Sequence, residues 1–157
     1  MKILFLDFDG VLNPLDNMYS NYYLWKKNPD HKSKDGYGDL FDQRCVNWLE
    51  YIILKTNCKL VISSTWRMSG LNVMRRMWED RNIKGEIYSI TSQLPGAIRG
   101  SEIAKWLKEN KYVQSYYIVD DNNDMWEDQL LVQTDPVYGL DRSSAIKIIN
   151  ILNNENP

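Results

Sequence analysis

The chain has 157 residues and a mass of 18.5 kDa, which is the size of one domain. Its 19 Lys and Arg residues nearly balance 21 Asp and Glu residues, so no global positive charge draws it to nucleic acid or to an anionic membrane. The single histidine, His31, argues against a histidine-rich zinc site. Two cysteines, Cys45 and Cys58, are too few for a disulfide framework and favour a cytoplasmic location. The first apolar run ends at Asp7, which is too early for a signal peptide or a membrane span, so we expect no membrane association.

Strand and helix patterns alternate along the chain. Nearly continuous apolar runs predict strands buried on both faces at residues 2–7, 59–63, 86–90, 116–120 and 130–134. Apolar residues at helical spacing predict helices at residues 42–55, 69–81, 101–110 and 142–152. We expect Ser101 to cap the third of these helices. The alternation predicts an α/β fold with a mainly parallel five-stranded sheet covered by helices.

Residues 13–40 interrupt this alternation. The segment is polar, aromatic and irregular, and it is long for a connection between a strand and a helix. Long loops in compact domains are usually functional or disordered. We interpret it as a small insertion over the edge of the sheet, within a single domain that spans residues 1–157.

The first polar motif is Asp7-Phe8-Asp9-Gly10, directly after the first strand. Residues i and i+2 of an extended segment point the same way, so Asp7 and Asp9 can face one small volume while Phe8 faces the core. Gly10 permits a tight turn beside that volume. Two carboxylates so close repel each other unless a proton or a cation lies between them. A divalent metal with oxygen ligands, Mg²⁺ by default, meets that demand; the alternative is an ordinary turn with this composition.

Two further polar motifs follow strands. Three hydroxyl residues, 63–65, precede Arg67, and they can cradle a phosphate that Arg67 binds bidentately, or they can cap a helix. Asp120 and Asp121 end the fourth predicted strand, with Asp124 nearby, in what is otherwise a polar turn. All three motifs fall at the carboxyl ends of strands, where open parallel sheets build their sites. Chance placement is therefore a poor explanation.

Taken together, the motifs DFDGVLN, SSTWR, RGSEIAKWL and IVDDNND resemble those of haloacid-dehalogenase-like (HAD) phosphatases, over about residues 2–152. The amino-acid sequences of the second and third motifs, SSTWR and RGSEIAKWL, are similar to those of small HAD domains of RNA-repair and phage proteins. The resemblance implies a three-layer α/β/α, Rossmann-like core with a minimal cap. It also implies hydrolysis of a phosphate monoester, with Mg²⁺ as the cofactor.

The resemblance assigns roles to individual residues. Asp7 would be the nucleophile that forms an aspartyl-phosphate. Asp9 would protonate the leaving group and later activate water, and its backbone carbonyl would bind Mg²⁺. Ser63 would hydrogen-bond the transferring phosphoryl group, with Ser64 as the alternative.

The remaining roles concern charge. The resemblance implies that Asp7, Asp9 and Asp120 or Asp121 hold the metal, with Asp124 in support. It also requires a basic residue before or within the following helix, and Arg99 is our choice, with Lys105 as the alternative. Such a cation would offset the charge that develops when one anion attacks another.

The insertion suggests the substrate class. Aromatic and basic residues, Tyr22, Trp25 and Lys26 among them, suit stacking on a base and contact with phosphates. Ser64 and Arg67 are the substrate-binding candidates nearer the strands. The alternative is a flap whose aromatic residues close the edge of the sheet, since its four lysines and four aspartates cancel.

We therefore predict a Mg²⁺-dependent phosphatase acting on a nucleotide or on a nucleic-acid end. A phosphoprotein or small-metabolite phosphatase is the alternative within the same class. A binding module that keeps the fold without turnover is the alternative from another class, and it would have no need of Asp9. The sequence does not indicate an oligomeric state.

Overall fold

The computed structural model describes residues 1–153. In chain order its elements are β1 (Lys2–Leu6), α1 (Leu15–Lys27), β2 (Lys34–Asp35), β3 (Gly38–Asp39), α2 (Gln43–Thr56), β4 (Lys59–Ile62), a 3₁₀ helix (Thr65–Ser69), α3 (Leu71–Asp80), β5 (Ile87–Ile90), α4 (Arg99–Glu109), β6 (Ser115–Asp120), β7 (Leu131–Gln133) and α5 (Arg142–Asn153). The main sheet has the order β5-β4-β1-β6-β7, and all its neighbouring strands are parallel. The predicted α/β fold and its five strands are confirmed.

Helices cover both faces of this sheet. On one face, Leu4 and Leu6 of β1 pack into a core with residues of α2, α3 and α5. On the other face, Ile3 and Phe5 pack against Ile103 and Trp106 of α4. The alternation of β1 side chains between two apolar cores is what a strand in the middle layer requires. The three-layer α/β/α core is therefore confirmed.

Strand register brings the polar motifs level with one another. Leu6 of β1 pairs with Ile62 of β4 on one side and with Val119 of β6 on the other. The residues that follow these three positions are Asp7, Ser63 and Asp120. Because the strands are parallel, all three lie at the same edge of the sheet.

Two helices begin elsewhere than predicted. Gly70, with a φ of 91°, separates the 3₁₀ helix from α3, so the predicted helix at 69–81 is interrupted. Helix α4 begins at Arg99, which places Ser101 inside the helix and not at its cap. The Asp124 carboxylate accepts a hydrogen bond from the Arg99 backbone N–H at 3.1 Å and supplies the cap from another loop. Within residues 1–153, no helix is long and apolar enough to cross a membrane.

The insertion is more regular than predicted. Residues 15–27 form α1, and residues 34–39 form a two-stranded antiparallel hairpin. The prediction of an irregular segment was wrong, although the apolar residues at 15, 18, 19, 22 and 23 have helical spacing. The start of α1 is tied to the domain, since the Leu15 N–H donates to the Pro136 carbonyl at 3.0 Å. Leu15 and Met18 border the same pocket as Asp7, which places the insertion beside the carboxyl edge of the sheet.

Candidate active site

A pocket of about 330 Å³ opens at the carboxyl edge of the sheet. It lies between the loop after β1, the loop after β6, and the first turns of α1 and α4. Its lining residues are Asp7, Asp9, Gly10, Asn13, Leu15, Met18, Thr65, Arg99, Asp121, Asn122 and Pro136. The pocket therefore joins residues from three of the sequence motifs with the start of the insertion.

Asp7 lies at the base of this pocket. Its backbone N–H continues the sheet by donating to the Val119 carbonyl at 3.1 Å, which fixes the position of the residue. The carboxyl is 95% buried, and burial raises its pKa to about 6, while nearby Arg99 and a hydrogen bond from Ser64 oppose this rise. Asp7 is therefore held in an environment that strongly favours a neighbouring positive charge.

Asp120 and Asp121 meet Asp7 from the end of β6. One oxygen of each of the three carboxylates lies within 4.8 Å of the others. Asp120 is fully buried, and burial together with the Asp7 carboxylate raises its pKa to about 7. Burial also raises the pKa of Asp121. Three acidic groups of raised pKa at one point form a site of strong negative potential.

Gly10 allows the two acidic loops to approach closely. Its φ is 72°, and a Cβ at this position would lie 2.5 Å from Cγ of Asp121. The Thr134 hydroxyl donates to the Gly10 carbonyl at 2.9 Å and fixes the loop from the β7 side. The requirement for glycine in the first motif therefore has two causes, the backbone conformation and the space that Asp121 occupies.

Arg99 is the basic residue that reaches the acidic cluster. Its guanidinium lies 4.0 Å from Asp7 and 3.7 Å from Asp120, and its side chain is largely buried. The alternative, Lys105, pairs with Glu109 on α4 instead. Of the two basic candidates, the structure therefore brings Arg99 to the site. Asp124 is used to cap α4, as described above, and it is not among the three clustered carboxylates in the described residues.

The hydroxyl motif is arranged differently from the prediction. Ser64, and not Ser63, is the serine whose hydroxyl lowers the pKa of Asp7, and the Ser64 hydroxyl accepts from the Trp66 N–H at 3.4 Å. Ser64 thus serves as the helix cap that was the competing interpretation, as well as a neighbour of Asp7. The Ser63 hydroxyl is buried and has no hydrogen-bond partner within residues 1–153. Strand β4 ends one residue earlier than predicted, at Ile62, but the local turn still directs the second serine to Asp7.

Arg67 does not present a free guanidinium to the site. It is 95% buried, and it donates to the backbone carbonyls of Ser63, Ser64 and Thr91. Its remaining terminal nitrogen forms an ion pair of 2.5 Å with Glu102 of α4. The predicted bidentate contact between Arg67 and a phosphate is therefore corrected. The side chain instead joins the hydroxyl loop, residues 63–65, to Glu102 of α4, and it supports the site in this way.

A family model matches most of the chain. The model described as the HAD domain in Swiss Army Knife RNA repair proteins matches residues 3–145. The chain belongs to this HAD family. No curated protein and no solved structure matched the chain. Membership confirms the resemblance noted from the motifs, and it supports a HAD-type hydrolase at the level of the superfamily.

Asp9 lines the same pocket of about 330 Å³, called the HAD pocket below, but its carboxylate lies outside the cluster formed by Asp7, Asp120 and Asp121. One of its oxygens accepts from the Trp66 indole N–H at 2.9 Å, and the other accepts from the Asn13 amide at 3.2 Å. Its side chain is not among the three whose oxygens lie within 4.8 Å within residues 1–153. Sequence reasoning missed both hydrogen-bond donors. The sequence could have indicated Asn13, because a turn at Gly10 returns the chain toward Asp9. Nothing in the sequence indicates that Trp66 reaches Asp9.

The aromatic candidates of the insertion lie next to the HAD pocket and not inside it. Tyr22 and Trp25 line a second, open groove of about 700 Å³ between α1 and residues 29–39. Met18 borders both cavities, so the groove and the pocket adjoin at this residue of α1. The Lys26 ammonium lies over the Tyr22 ring at 5.2 Å and is not in the lining of either cavity.

The acidic cluster suits a hard divalent cation. Members of the HAD family generally use Mg²⁺, and carboxylate oxygens are the ligands that Mg²⁺ prefers. The Oδ2 atom of Asp120 is buried and accepts no hydrogen bond within residues 1–153, and its only ion-pair partner there is the Arg99 guanidinium at 3.7 Å, so it has room for a further ligand. The chemistry of these donors and the position of Asp120 fit a bound metal.

Proposed function

We propose that the chain is a Mg²⁺-dependent phosphatase that hydrolyses a phosphate monoester through an aspartyl-phosphate on Asp7. The observation that carries this proposal is the meeting of three buried or half-buried carboxylates with Arg99 at the carboxyl edge of the sheet. A stable fold gains nothing from such a cluster, because burying carboxylates together is costly. It is useful where an anionic group must be bound between a metal and a guanidinium.

The residues divide the two displacements between them. A carboxylate oxygen of Asp7 attacks phosphorus while the bond from phosphorus to the leaving oxygen breaks, and Asp9 gives its proton to that oxygen. Water then attacks the phosphoryl group on Asp7, Asp9 takes a proton from the water, and inorganic phosphate leaves. Arg99 and the Ser64 hydroxyl hold the phosphoryl oxygens. Each oxygen of Asp9 accepts one hydrogen bond in the structure, so each keeps a lone pair for proton transfer.

The metal would be held by Asp7, by Asp120 or Asp121, and by the backbone carbonyl of Asp9. When bound, Mg²⁺ neutralises charge on the phosphoryl group and on the carboxylates. It thereby favours the ionised form of Asp7, whose pKa burial otherwise raises to about 6. Arg99 acts in the same direction on the pKa of Asp7.

We propose a nucleic-acid end as the substrate. The insertion leaves the pocket open, and the groove beside it is bordered by Tyr22 and Trp25, whose ring centroids are 6.3 Å apart. Seven residues of helix between Met18 and Trp25 correspond to about 10 Å, which is the length of about three nucleotides stacked as in one strand of a duplex, at about 3.4 Å each. The name of the matching family, which refers to RNA repair, supports the same class.

Phosphate release from a matched set of substrates tests the reaction. The set comprises mononucleotides, trinucleotides phosphorylated at the 5′ or the 3′ end, a phosphopeptide, a sugar phosphate and p-nitrophenyl phosphate, each with Mg²⁺. We expect release by the wild type and none by Asp7→Asn, while Asp128→Asn, which changes an exposed aspartate outside the lining of the pocket, keeps the wild-type rate. If no compound is hydrolysed, or if Asp7→Asn keeps most of the rate, the aspartyl-phosphate proposal is wrong.

The groove is tested separately by substrate length. Aromatic stacking contributes about 1–3 kcal/mol per base, so Trp25→Ala is expected to raise KM for a trinucleotide about fivefold or more and to leave p-nitrophenyl phosphate unchanged. Tyr19→Ala is the control, because Tyr19 is also an exposed aromatic residue of α1 but lines neither cavity. Equal kinetics for mononucleotide and trinucleotide in wild type and Trp25→Ala would contradict the nucleic-acid proposal. Faster hydrolysis of the phosphopeptide or the sugar phosphate would favour the alternative substrate classes.

A further inference from the structure

We propose that Trp66 is a positioning residue for Asp9 and that the insertion fixes Trp66 in this role. The inference rests on the proposed function, in which Asp9 is the acid and base. Its starting point is the 2.9 Å hydrogen bond from the Trp66 indole N–H to Oδ2 of Asp9. Asp9 is exposed, and an exposed carboxylate samples several rotamers unless donors hold it. Trp66 and Asn13 are the two donors that do so.

The core holds one side of the Trp66 ring. Phe8, the residue between the two aspartates of the first motif, meets the indole edge-to-face with centroids 5.7 Å apart. Phe41, which follows the insertion, lies 5.6 Å from the indole. Such aromatic pairs restrict ring orientation beyond simple burial. The same Phe8 therefore links the backbone that carries Asp9 to the ring that binds it.

The hairpin of the insertion holds the other side. A Cβ on Gly38 would lie 3.2 Å from Cη2 of Trp66, so the backbone of β3 is in direct contact with the indole. The Arg81 guanidinium lies 5.7 Å from the centre of the Trp66 ring and 4.4 Å from that of Phe41. Arg81 is itself bound to both oxygens of Asp35 on β2, each at 2.9 Å. The hairpin, the guanidinium and the indole thus form one connected stack that ends at Asp9.

The arrangement predicts a defect that depends on the leaving group. An Asp9 carboxyl that is free to rotate protonates the leaving oxygen less often. Alkyl phosphates, including nucleotides, need that proton, whereas aryl phosphates such as p-nitrophenyl phosphate leave with little help. Loss of the indole N–H should therefore slow alkyl phosphates selectively. A merely structural role for Trp66 would slow both kinds of substrate alike.

Trp66→Phe removes the N–H and keeps an aromatic ring. General acid catalysis is worth about 10²–10⁴-fold, and Trp66→Phe removes one of the two donors that orient Asp9. We therefore expect kcat for an alkyl phosphate to fall by about tenfold or more and kcat for p-nitrophenyl phosphate to fall by less than about threefold. Trp78→Phe is the matched control. Trp78 packs against Phe8 and Phe41 as well, but its N–H donates to the Lys84 carbonyl at 3.2 Å.

A double variant and a spectrum complete the test. Asp9→Asn combined with Trp66→Phe should be no slower on alkyl phosphates than Asp9→Asn alone, because Trp66 acts through Asp9. The Trp66 indole N–H resonance, identified by its loss in Trp66→Phe, should shift and exchange faster with solvent in Asp9→Ala. This readout needs no turnover, so an inactive wild type would refute the proposed function and leave the hydrogen bond measurable. The positioning role would be overturned if Trp66→Phe lowered kcat equally for alkyl and aryl phosphates. It would also be overturned if the Trp66 indole N–H resonance were unchanged in Asp9→Ala.

Discussion

The buried Asp120 carboxyl makes a quantitative prediction about stability and pH. Its pKa is raised from an ordinary value of 3.8 to about 7, first by burial and then by the Asp7 carboxylate. A shift of about three units corresponds to about 4 kcal/mol. The folded protein holds this proton up to about pH 7, whereas the unfolded chain releases it near pH 4. Stability is therefore lost as the pH rises through this window.

Asp120→Asn removes the ionisation and keeps the shape of the side chain. In metal-free buffer we expect the free energy of unfolding of the wild type to fall between pH 5 and pH 8 by about 3 kcal/mol more than that of the variant. Urea unfolding at several pH values, with a chelator present, measures both curves. Because the comparison uses slopes, a constant cost of the substitution does not affect it. Asp128→Asn, an exposed aspartate, should follow the wild type.

Added metal should reverse this cost. At pH 8, Mg²⁺ at about one hundred times its dissociation constant should stabilise the wild type by about 3 kcal/mol. The effect should be much smaller for Asp120→Asn, and also for the wild type at pH 5, where protons occupy the cluster. The reasoning is refuted if wild type and Asp120→Asn lose equal stability between pH 5 and pH 8, or if Mg²⁺ stabilises them equally.

Two further predictions use matched pairs within the chain. Gly10→Ala should remove the stabilisation by Mg²⁺, measured as a shift in melting temperature, whereas Gly96→Ala should keep it; both glycines have a φ of 72°, but nothing lies within 4 Å of a Cβ at Gly96. Equal loss in the two would mean that backbone strain, and not contact with the acidic cluster, is responsible. Arg99→Ala should lower kcat about 10²- to 10³-fold, and Lys105→Ala should leave it near the wild-type value. A comparable defect in Lys105→Ala would contradict the placement of the basic residue.

The sequence was most informative about the sheet. Buried parallel strands read as short apolar runs, and residue types such as the Ile, Leu and Phe of residues 3–6 report burial on two faces without knowledge of their partners. The polar residues that end such runs must then lie at one edge. This is why Asp7, Asp120 and the hydroxyl loop could be expected to meet before the structure was known.

Side-chain partners were less predictable, because a residue type does not state which neighbour it meets. Arg67 follows a hydroxyl run, yet four acceptors surround it and bury it. Strand β4 ends one residue earlier than predicted, and it is the Ser64 hydroxyl, not that of Ser63, that acts on Asp7. Helix α1 escaped prediction because its exposed aromatic residues resemble a loop composition, and it has no buried side chain of its own within the described residues. Its helical spacing was nevertheless present in the sequence.

The two aspartates of the first motif acquire unlike environments although one residue separates them. Asp7 is buried with Asp120, Asp121 and Arg99, where a metal would keep it ionised and ready to attack phosphorus. Asp9 is exposed and held by neutral donors, so it lies outside the cluster whose charges act most strongly on Asp7. A nucleophile must face the metal and the phosphorus atom, whereas an acid and base must reach the leaving oxygen and the attacking water, so the two roles require different positions. The turn at Gly10 and the indole of Trp66 provide the separation, which is why the insertion that fixes Trp66 belongs to the catalytic unit in our proposal.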